Sequence, residues 1–104
     1  MDDVIFRVDD AGDVFAFFPY VVFDAHGFIA FFSPKEGWSG ADYDWCIENS
    51  RPAKPSEYEK LLAFLSEDGS QYRVIKYADR RRILRNKIKA IKKYWSQHLV
   101  SRNL

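Results

Sequence analysis

The chain has 104 residues, of which 47% are hydrophobic and 17% aromatic, so one compact domain is expected and intrinsic disorder is excluded. A single Cys excludes an intrachain disulfide, and no apolar run reaches the roughly 20 residues that a membrane-spanning helix needs. The acidic start, Asp2-Asp3, differs from the basic start of a secretory signal, so the expected location is the cytoplasm.

The net charge of +1 conceals a separation of charge along the chain. Residues 1–72 hold 14 acidic and 5 basic residues, a net charge of −9, whereas residues 73–104 hold 11 basic residues and 1 acidic residue, a net charge of +10. Such asymmetry concerns partners rather than fold. The basic end can meet nucleic acid, an acidic protein, or the acidic end of its own or another copy.

Three segments rich in β-branched and aromatic residues predict strands: Val4–Val8, Val14–Phe18 and Phe28–Phe32. Turns are predicted at residues 9–13 and 24–27. Pro19 either stops the second strand or places it at an edge, and Tyr20–Phe23 resumes it past a bulge. Because both faces of the second and third strands are apolar, a second layer or a partner must cover them.

The first helix is predicted to begin near Pro55 or Ser56 and to end before Gly69, which suits a left-handed cap. Ser56 and Glu59 fit a capping box. Helical spacing gives this helix a core stripe of Tyr58, Leu61, Leu62 and Leu65. A further strand is predicted at residues 71–77.

The second helix is predicted from Arg80 to Leu99, with Asp79 as its N-cap. It is amphipathic, because an apolar stripe is followed by a basic arc on the adjoining and opposite side when residues are spaced by 100°. The stripe comprises Leu84, Ile88, Ile91, Trp95 and Leu99. The predicted core residues of the two helices are Leu61, Leu62, Leu65, Leu84, Ile88 and Ile91.

These segments predict an α+β fold in the order β-β-β-loop-α-β-α, with a small antiparallel sheet of three to five strands and two helices. Residues 1–104 form a single domain in this interpretation. Residues 1–77 are its α+β unit, and residues 78–104 form a basic amphipathic helix at the C-terminal end.

No pattern predicts a catalytic, cofactor or metal site, so the chain is expected not to be an enzyme. Cys46 is expected to be a small buried hydrophobe, and His26 and His98 lack the spacing of metal ligands. The loop predicted at residues 37–47 contains Asp42 and Asp44, which are expected to accept bonds from turn N–H groups. Its two tryptophans either pack over the sheet or form an interaction platform.

The basic helix is the strongest signal for a partner, since clustered Arg and Lys residues are typical of phosphate contact. Charged helix faces are also commonly just solvated, and no residue is placed for base readout. The residues predicted to bind a partner are Arg81, Arg82, Arg85, Lys89, Lys92, Trp95 and Trp38.

Several segments in order resemble a family of short, uncharacterised proteins that bacteriophages and conjugative elements encode. They include Val4-Ile5-Phe6-Arg7, the run from Asp13 to Pro19, Arg51-Pro52-Ala53-Lys54-Pro55-Ser56-Glu57-Tyr58, and Tyr72-Arg73-Val74-Ile75-Lys76. The resemblance covers about residues 4–77 and implies a small accessory protein of a mobile element in a bacterial host. The helix after Asp79 extends beyond the usual short form.

The expected function is a non-enzymatic, phage-encoded inhibitor of a host defence complex, such as a CRISPR effector, that acts by protein–protein contact. The resemblance supplies the host context. One alternative is a nucleic-acid-binding accessory protein that uses the basic helix. A second alternative is a homodimeric interaction module.

Overall fold

A computed structural model describes the backbone of residues 1–102 and the side chains of residues 1–97. It contains six strands and three helices in these described residues. The strands are β1 (Asp2–Asp9), β2 (Val14–Val22), β3 (Ile29–Ser33), β4 (Gly37–Ala41), β5 (Ser50–Pro52) and β6 (Tyr72–Val74). The helices are α1 (Tyr43–Glu48), α2 (Pro55–Leu65) and α3 (Arg80–Arg102).

All six strands form one sheet. Five of them lie in the order β4-β3-β2-β1-β5, and β6 also pairs with β1, so the predicted α+β class is confirmed. The free edge of β1 is shared by two short strands: β5 pairs antiparallel with its C-terminal half and β6 pairs parallel with its N-terminal half. The predicted range of three to five antiparallel strands was therefore too small. A register shift between Phe18 and Val22 confirms the predicted bulge in β2.

The segment predicted as a loop, residues 37–47, instead contains β4 and α1. β4 has few residues with high strand propensity, but it pairs with every residue of β3. α1 begins at an Asp cap, because the Asp42 carboxylate accepts a hydrogen bond of 3.1 Å from the Trp45 N–H. The expectation that Asp42 bonds turn N–H groups is thus confirmed.

Apolar side chains cover both faces of the sheet. One face packs against α2 through Phe6, Phe18, Leu61 and Leu65. The other face packs against α1 and the start of α3, where Ile5, Phe17 and Cys46 are buried and Ile83 lies against them. A second layer therefore covers the apolar faces of the central strands, one of the two alternatives that the sequence left open.

α2 begins at Pro55, one of the two predicted starts, and its cap lies two residues before Ser56, the first residue of the predicted capping box. Lys54 is the N-cap, and its backbone N–H donates to the Glu57 carboxylate at 2.9 Å. Arg51 holds the same carboxylate at 2.7 Å, and both donors keep the pKa of Glu57 low, at about 2. The Ser56–Glu59 capping box was wrong. Gly69 has the predicted positive φ of +87°, but the C-cap of α2 is Ser66, so Gly69 belongs to the turn that follows the helix.

α3 begins as predicted, because the Asp79 carboxylate accepts from the Arg81 N–H at 2.9 Å. The face that it turns toward the sheet differs from the predicted stripe. Ile83, Asn86, Lys87, Ala90 and Ile91 are partly buried, whereas Leu84 and Ile88 are 56% and 42% exposed. Their assignment to the core was wrong. Leu61 and Leu65 are buried and Leu62 is partly buried; the Leu99 side chain lies outside the described residues.

A glycine sets the path of α3 across the end of β2. Gly27 has a φ of +82°, and a Cβ at this position would collide with the aliphatic stem of Lys87. Asn86 donates to the Tyr20 carbonyl at 3.4 Å on the same face. The turn between β2 and β3 therefore admits the helix because it has no side chain at that point.

An ion pair joins the first and the last strand in the sequence. Asp3 of β1 lies directly opposite Arg73 of β6 in the register of the sheet. Arg73 Nε and Nη2 donate to the two Asp3 carboxylate oxygens at 2.8 and 2.9 Å. The Arg73 guanidinium holds the pKa of the buried Asp3 carboxyl below its usual range, against the opposing effect of burial.

We expect Leu61→Ala to lower the free energy of unfolding by about 2–5 kcal/mol, because it opens a cavity under α2. The same substitution at exposed Leu84 should change it by less than about 0.5 kcal/mol. Urea denaturation of dilute protein measures both. Equal losses would contradict the orientation of α3 described above.

We expect Asp3→Asn to lower the melting temperature at pH 7, with the exposed Asp2→Asn variant as the control. A carboxyl with a lowered folded-state pKa stabilises the fold above the unfolded pKa near 4, and the stabilisation is lost as pH falls through the folded value. The difference between parent and Asp3→Asn should therefore shrink at pH 2 to 3. A difference independent of pH would argue against the ion pair as its cause.

Candidate partner-binding surface

The start of α3 is fixed to the domain by two tyrosine hydroxyls. The Ala78 N–H donates to Tyr43 Oη at 3.0 Å, and the Asp79 N–H donates to Tyr20 Oη at 2.8 Å. Ile83 adds apolar contact with the cluster beneath α1. The helix therefore leaves the sheet in a defined direction, with one face toward the domain and the other toward solvent.

An apolar strip, defined as Leu84, Ile88, Ile91 and Trp95, runs along the side of α3. Its members recur every three or four residues and so lie in a row. Ile91 is partly buried, while Trp95 is 52% exposed and packs edge-on against Tyr94 at 5.7 Å between ring centroids. Three of the four described residues of the predicted stripe, Leu84, Ile88 and Trp95, are thus exposed rather than in the core.

A basic arc, defined as Arg81, Arg85, Lys89 and Lys92, follows the same helix beside the apolar strip. All four side chains are exposed. Among the side chains of residues 1–97, none of the four forms an ion pair with a carboxylate. The arc therefore presents positive charge to solvent without local neutralisation, as predicted from the sequence.

Two other arginines at the start of α3 contact the domain. Arg80 Nη2 lies 3.0 Å from Asp44 Oδ1, and its guanidinium carbon is 5.6 Å from the Tyr43 ring centroid. Arg82 stacks over Tyr20, with its guanidinium carbon 3.8 Å from the ring centroid. Arg82, predicted to bind a partner, is thus exposed but already in contact with an aromatic ring.

Trp38 lies apart from the α3 residues with which it was grouped. It belongs to β4 and packs against Phe18 at 5.4 Å and Phe32 at 5.1 Å, on the sheet face that α2 covers. Although 52% exposed, it lies on the opposite side of the sheet from α1 and the start of α3. The structure therefore does not bring Trp38 and the basic arc into one surface.

An acidic groove of about 500 Å³ lies between α1 and the β3–β4 edge. Its apolar lining includes Phe28, Phe31 and Trp45, and its carboxylates are Glu36 and Asp42. Trp45 is 55% exposed and faces the groove. The sequence analysis missed this groove because α1 was interpreted as a loop. The available signal was Asp42, a residue type that favours the N-cap position and whose carboxylate accepts from the N–H three residues later, here that of Trp45.

Cys46 belongs to α1 and is fully buried on the side of that helix that faces the sheet, as expected of a small buried hydrophobe. The pKa of its thiol is raised to about 12, mainly by burial and also by the nearby Asp42 carboxylate. The Arg7 guanidinium has a smaller, opposing effect. The thiol is therefore neutral and shielded at physiological pH. Among the described residues, no three His, Cys, Asp or Glu side chains converge as metal ligands, and no helix has the length and apolarity needed to cross a bilayer.

We expect the Cys46 thiol to react with a disulfide reagent far more slowly in the native protein than in guanidinium chloride. The native reaction should stay slow even at pH 9, because a thiol with a pKa near 12 is still almost entirely protonated there, whereas an ordinary thiol with a pKa of about 8.5 is mostly thiolate. Absorbance of the released chromophore measures both rates. Similar native and unfolded rates would show that Cys46 is accessible.

Comparison of the chain with models of protein families, with curated proteins and with solved structures gives no match. The resemblance to short phage-encoded proteins therefore stays a prediction, and the candidate surfaces are interpreted from their own chemistry.

Proposed function

We propose that this protein is a non-enzymatic binding protein that acts by protein–protein contact through the outward side of α3. The observation that carries the proposal is the exposed pair Leu84 and Ile88 beside the basic arc. Apolar side chains in a row gain free energy when a partner covers them, at about 25 cal/mol per Å². The adjoining cations favour a partner groove with acidic rims.

This combination is typical of helix-in-groove recognition, in which residues three and four apart on one helix fill a hydrophobic groove. The apolar strip supplies such anchors over three turns of α3. Charge on the flanking arc would steer the encounter and fix the orientation of the complex. Trp95, a residue type enriched among binding hot spots, lies at the far end of the strip.

The resemblance noted in the sequence makes a host defence complex, such as a CRISPR effector, the expected target, and the bacterial cytoplasm the expected location. A stoichiometric inhibitor needs surface complementarity and no catalytic group. The small size of the chain and the buried, protonated state of its one thiol are consistent with this proposal.

Nucleic-acid binding is the second candidate, and the unpaired cations of the basic arc favour it. Phosphate contact would use Arg81, Arg85, Lys89 and Lys92 but would leave Leu84 and Ile88 uncovered. Fluorescence anisotropy with labelled duplex and single-stranded DNA or RNA across a salt series separates the two candidates. Affinity that falls steeply with salt would support phosphate contact.

For the protein-binding proposal, we expect Arg85→Glu/Lys89→Glu and Ile88→Asp each to reduce capture of a specific partner at least about tenfold. The first places repulsive charge at an acidic rim, and the second places a carboxylate in the apolar contact. Immobilised variants are incubated with bacterial lysate, and the retained proteins are quantified by mass spectrometry.

The matched control is Lys60→Glu/Lys76→Glu, which changes the net charge equally at exposed positions away from α3. It should capture the same partner as the parent. Circular dichroism establishes that every variant is folded. If both α3 variants retain the partner at the parental level, α3 is only scaffold and the proposal is wrong.

A further inference from the structure

The apolar strip and the acidic groove lie on the same side of the molecule. Arg80 contacts Asp44 and Tyr43 of α1, and the Lys87 ammonium is 5.9 Å from the ring centroid of Phe28, which lines the groove. Residues 80, 84, 87 and 91 share one side of a helix. The side of α3 that carries Leu84 and Ile91 therefore turns toward α1 and the groove.

The groove has the chemistry that recognises a cationic amphipathic helix. Its aromatic lining suits apolar side chains and the flat faces of arginine, and Trp45 presents a ring suitable for cation–π contact. Glu36 and Asp42 supply negative charge at its edge. Glu48, at the end of α1, is exposed and adds a negative charge to this helix, whereas Asp44 is paired with Arg80.

The same chain contains such a helix, but α3 cannot enter the groove of its own domain. Its first turns are held by Ile83 against the core and by Asn86 at the Tyr20 carbonyl. The apolar strip and basic arc begin within these anchored turns. Because the helix is anchored at this end, it cannot bend to bring its exposed residues Ile88 and Trp95 into the groove of the same domain.

We propose that a second copy of this chain occupies the groove, in a two-fold dimer in which α3 of each copy covers the acidic groove of the other. A two-fold interface must be self-complementary, because the same patch meets itself. This patch meets that requirement, because apolar residues lie between a basic half on α3 and an acidic half. The acidic half comprises Glu36 before β4 and Asp42 and Glu48 at the two ends of α1. Rotation by 180° brings each acidic half against a basic half.

This inference rests on the proposed function, since it assigns a partner to the same side of α3. The dimer and a complex with another protein are then mutually exclusive. A target would have to compete with the second copy, so binding would depend on the concentration of the protein itself.

Complementation between two charge-reversed variants tests the dimer. The helix variant is Arg85→Glu/Lys89→Glu and the groove variant is Glu36→Lys/Glu48→Lys, all at exposed positions with no ion pair among the described side chains. Sedimentation equilibrium of the parent should give a dimer. Each variant alone should raise the dimer dissociation constant at least about tenfold, because like charges then meet at both equivalent contacts.

An equimolar mixture of the two variants should dimerise again. The reversed helix then meets a reversed groove, and the remaining contact pairs a parental helix with a parental groove. Energy transfer between differently labelled variants detects this heterodimer. Lys60→Glu/Lys76→Glu serves as the control and should dimerise like the parent. If a charge-reversed variant fails to fold, Ile88→Ala and Trp45→Ala, which remove apolar area from the two halves, should each weaken dimerisation instead.

A parent that stays monomeric from micromolar to several hundred micromolar overturns the dimer. A dimeric parent whose two variants do not complement each other shows that helix and groove do not pair. Neither result affects the capture experiment, which tests the proposed function separately. If the α3 variants lose partner capture but still dimerise, the partner and the second copy do not bind the same side of α3.

Discussion

The buried guanidinium of Arg7 is the interaction on which the organisation around β1 depends. Arg7 is 3% exposed, yet no carboxylate neutralises it among the described residues. Its Nη2 donates to the carbonyls of Ile47 at 3.0 Å and Ser50 at 2.7 Å, and its Nε donates to Ser50 Oγ at 2.9 Å. One side chain of β1 thus binds the end of α1 and the start of β5.

This arrangement satisfies polar groups that would otherwise be orphaned. The carbonyls at the end of a helix lack partners within it, and a buried cation is costly unless oxygens surround it. Ser50 Oγ extends the network by donating to the Cys46 carbonyl, whereas Arg7 Nη1 is buried without a hydrogen-bond partner among the described residues. Because α1 is only six residues long, propensity alone would not hold it in place. The Arg7 network therefore also fixes one wall of the acidic groove.

The strands and helices that have a clear pattern in their own short stretch of sequence were predicted correctly. β-branched and aromatic runs gave β1 to β3, and Pro55 and Asp79 marked the starts of two helices. The strands β4 and β5 were missed because their sequences, Gly37–Ala41 and Ser50–Pro52, become strands only by pairing with a longer neighbour. A short stretch of sequence does not show which distant strand it will pair with.

The orientation of α3 could not be predicted for a related reason. Periodicity identifies an apolar face but not whether the domain covers it. In this protein the covered side is set by Gly27, which admits the stem of Lys87, and by Asn86, a polar residue with a backbone acceptor. Leu84, Ile88 and Trp95 consequently remain exposed. The basic arc was predicted correctly because exposure of Arg and Lys needs no tertiary information.

The sharing of one β1 edge by β5 and β6 has a consequence for the order of events during synthesis. β1 emerges first from the ribosome and pairs early with β2, but Asp3 and Arg73 are 70 positions apart. Until the last third of the chain has appeared, half of that edge offers unpaired N–H and carbonyl groups to any passing strand. Completion of the sheet is therefore a late, non-local step, and nascent chains that stall before residue 72 would be the species most prone to aggregate.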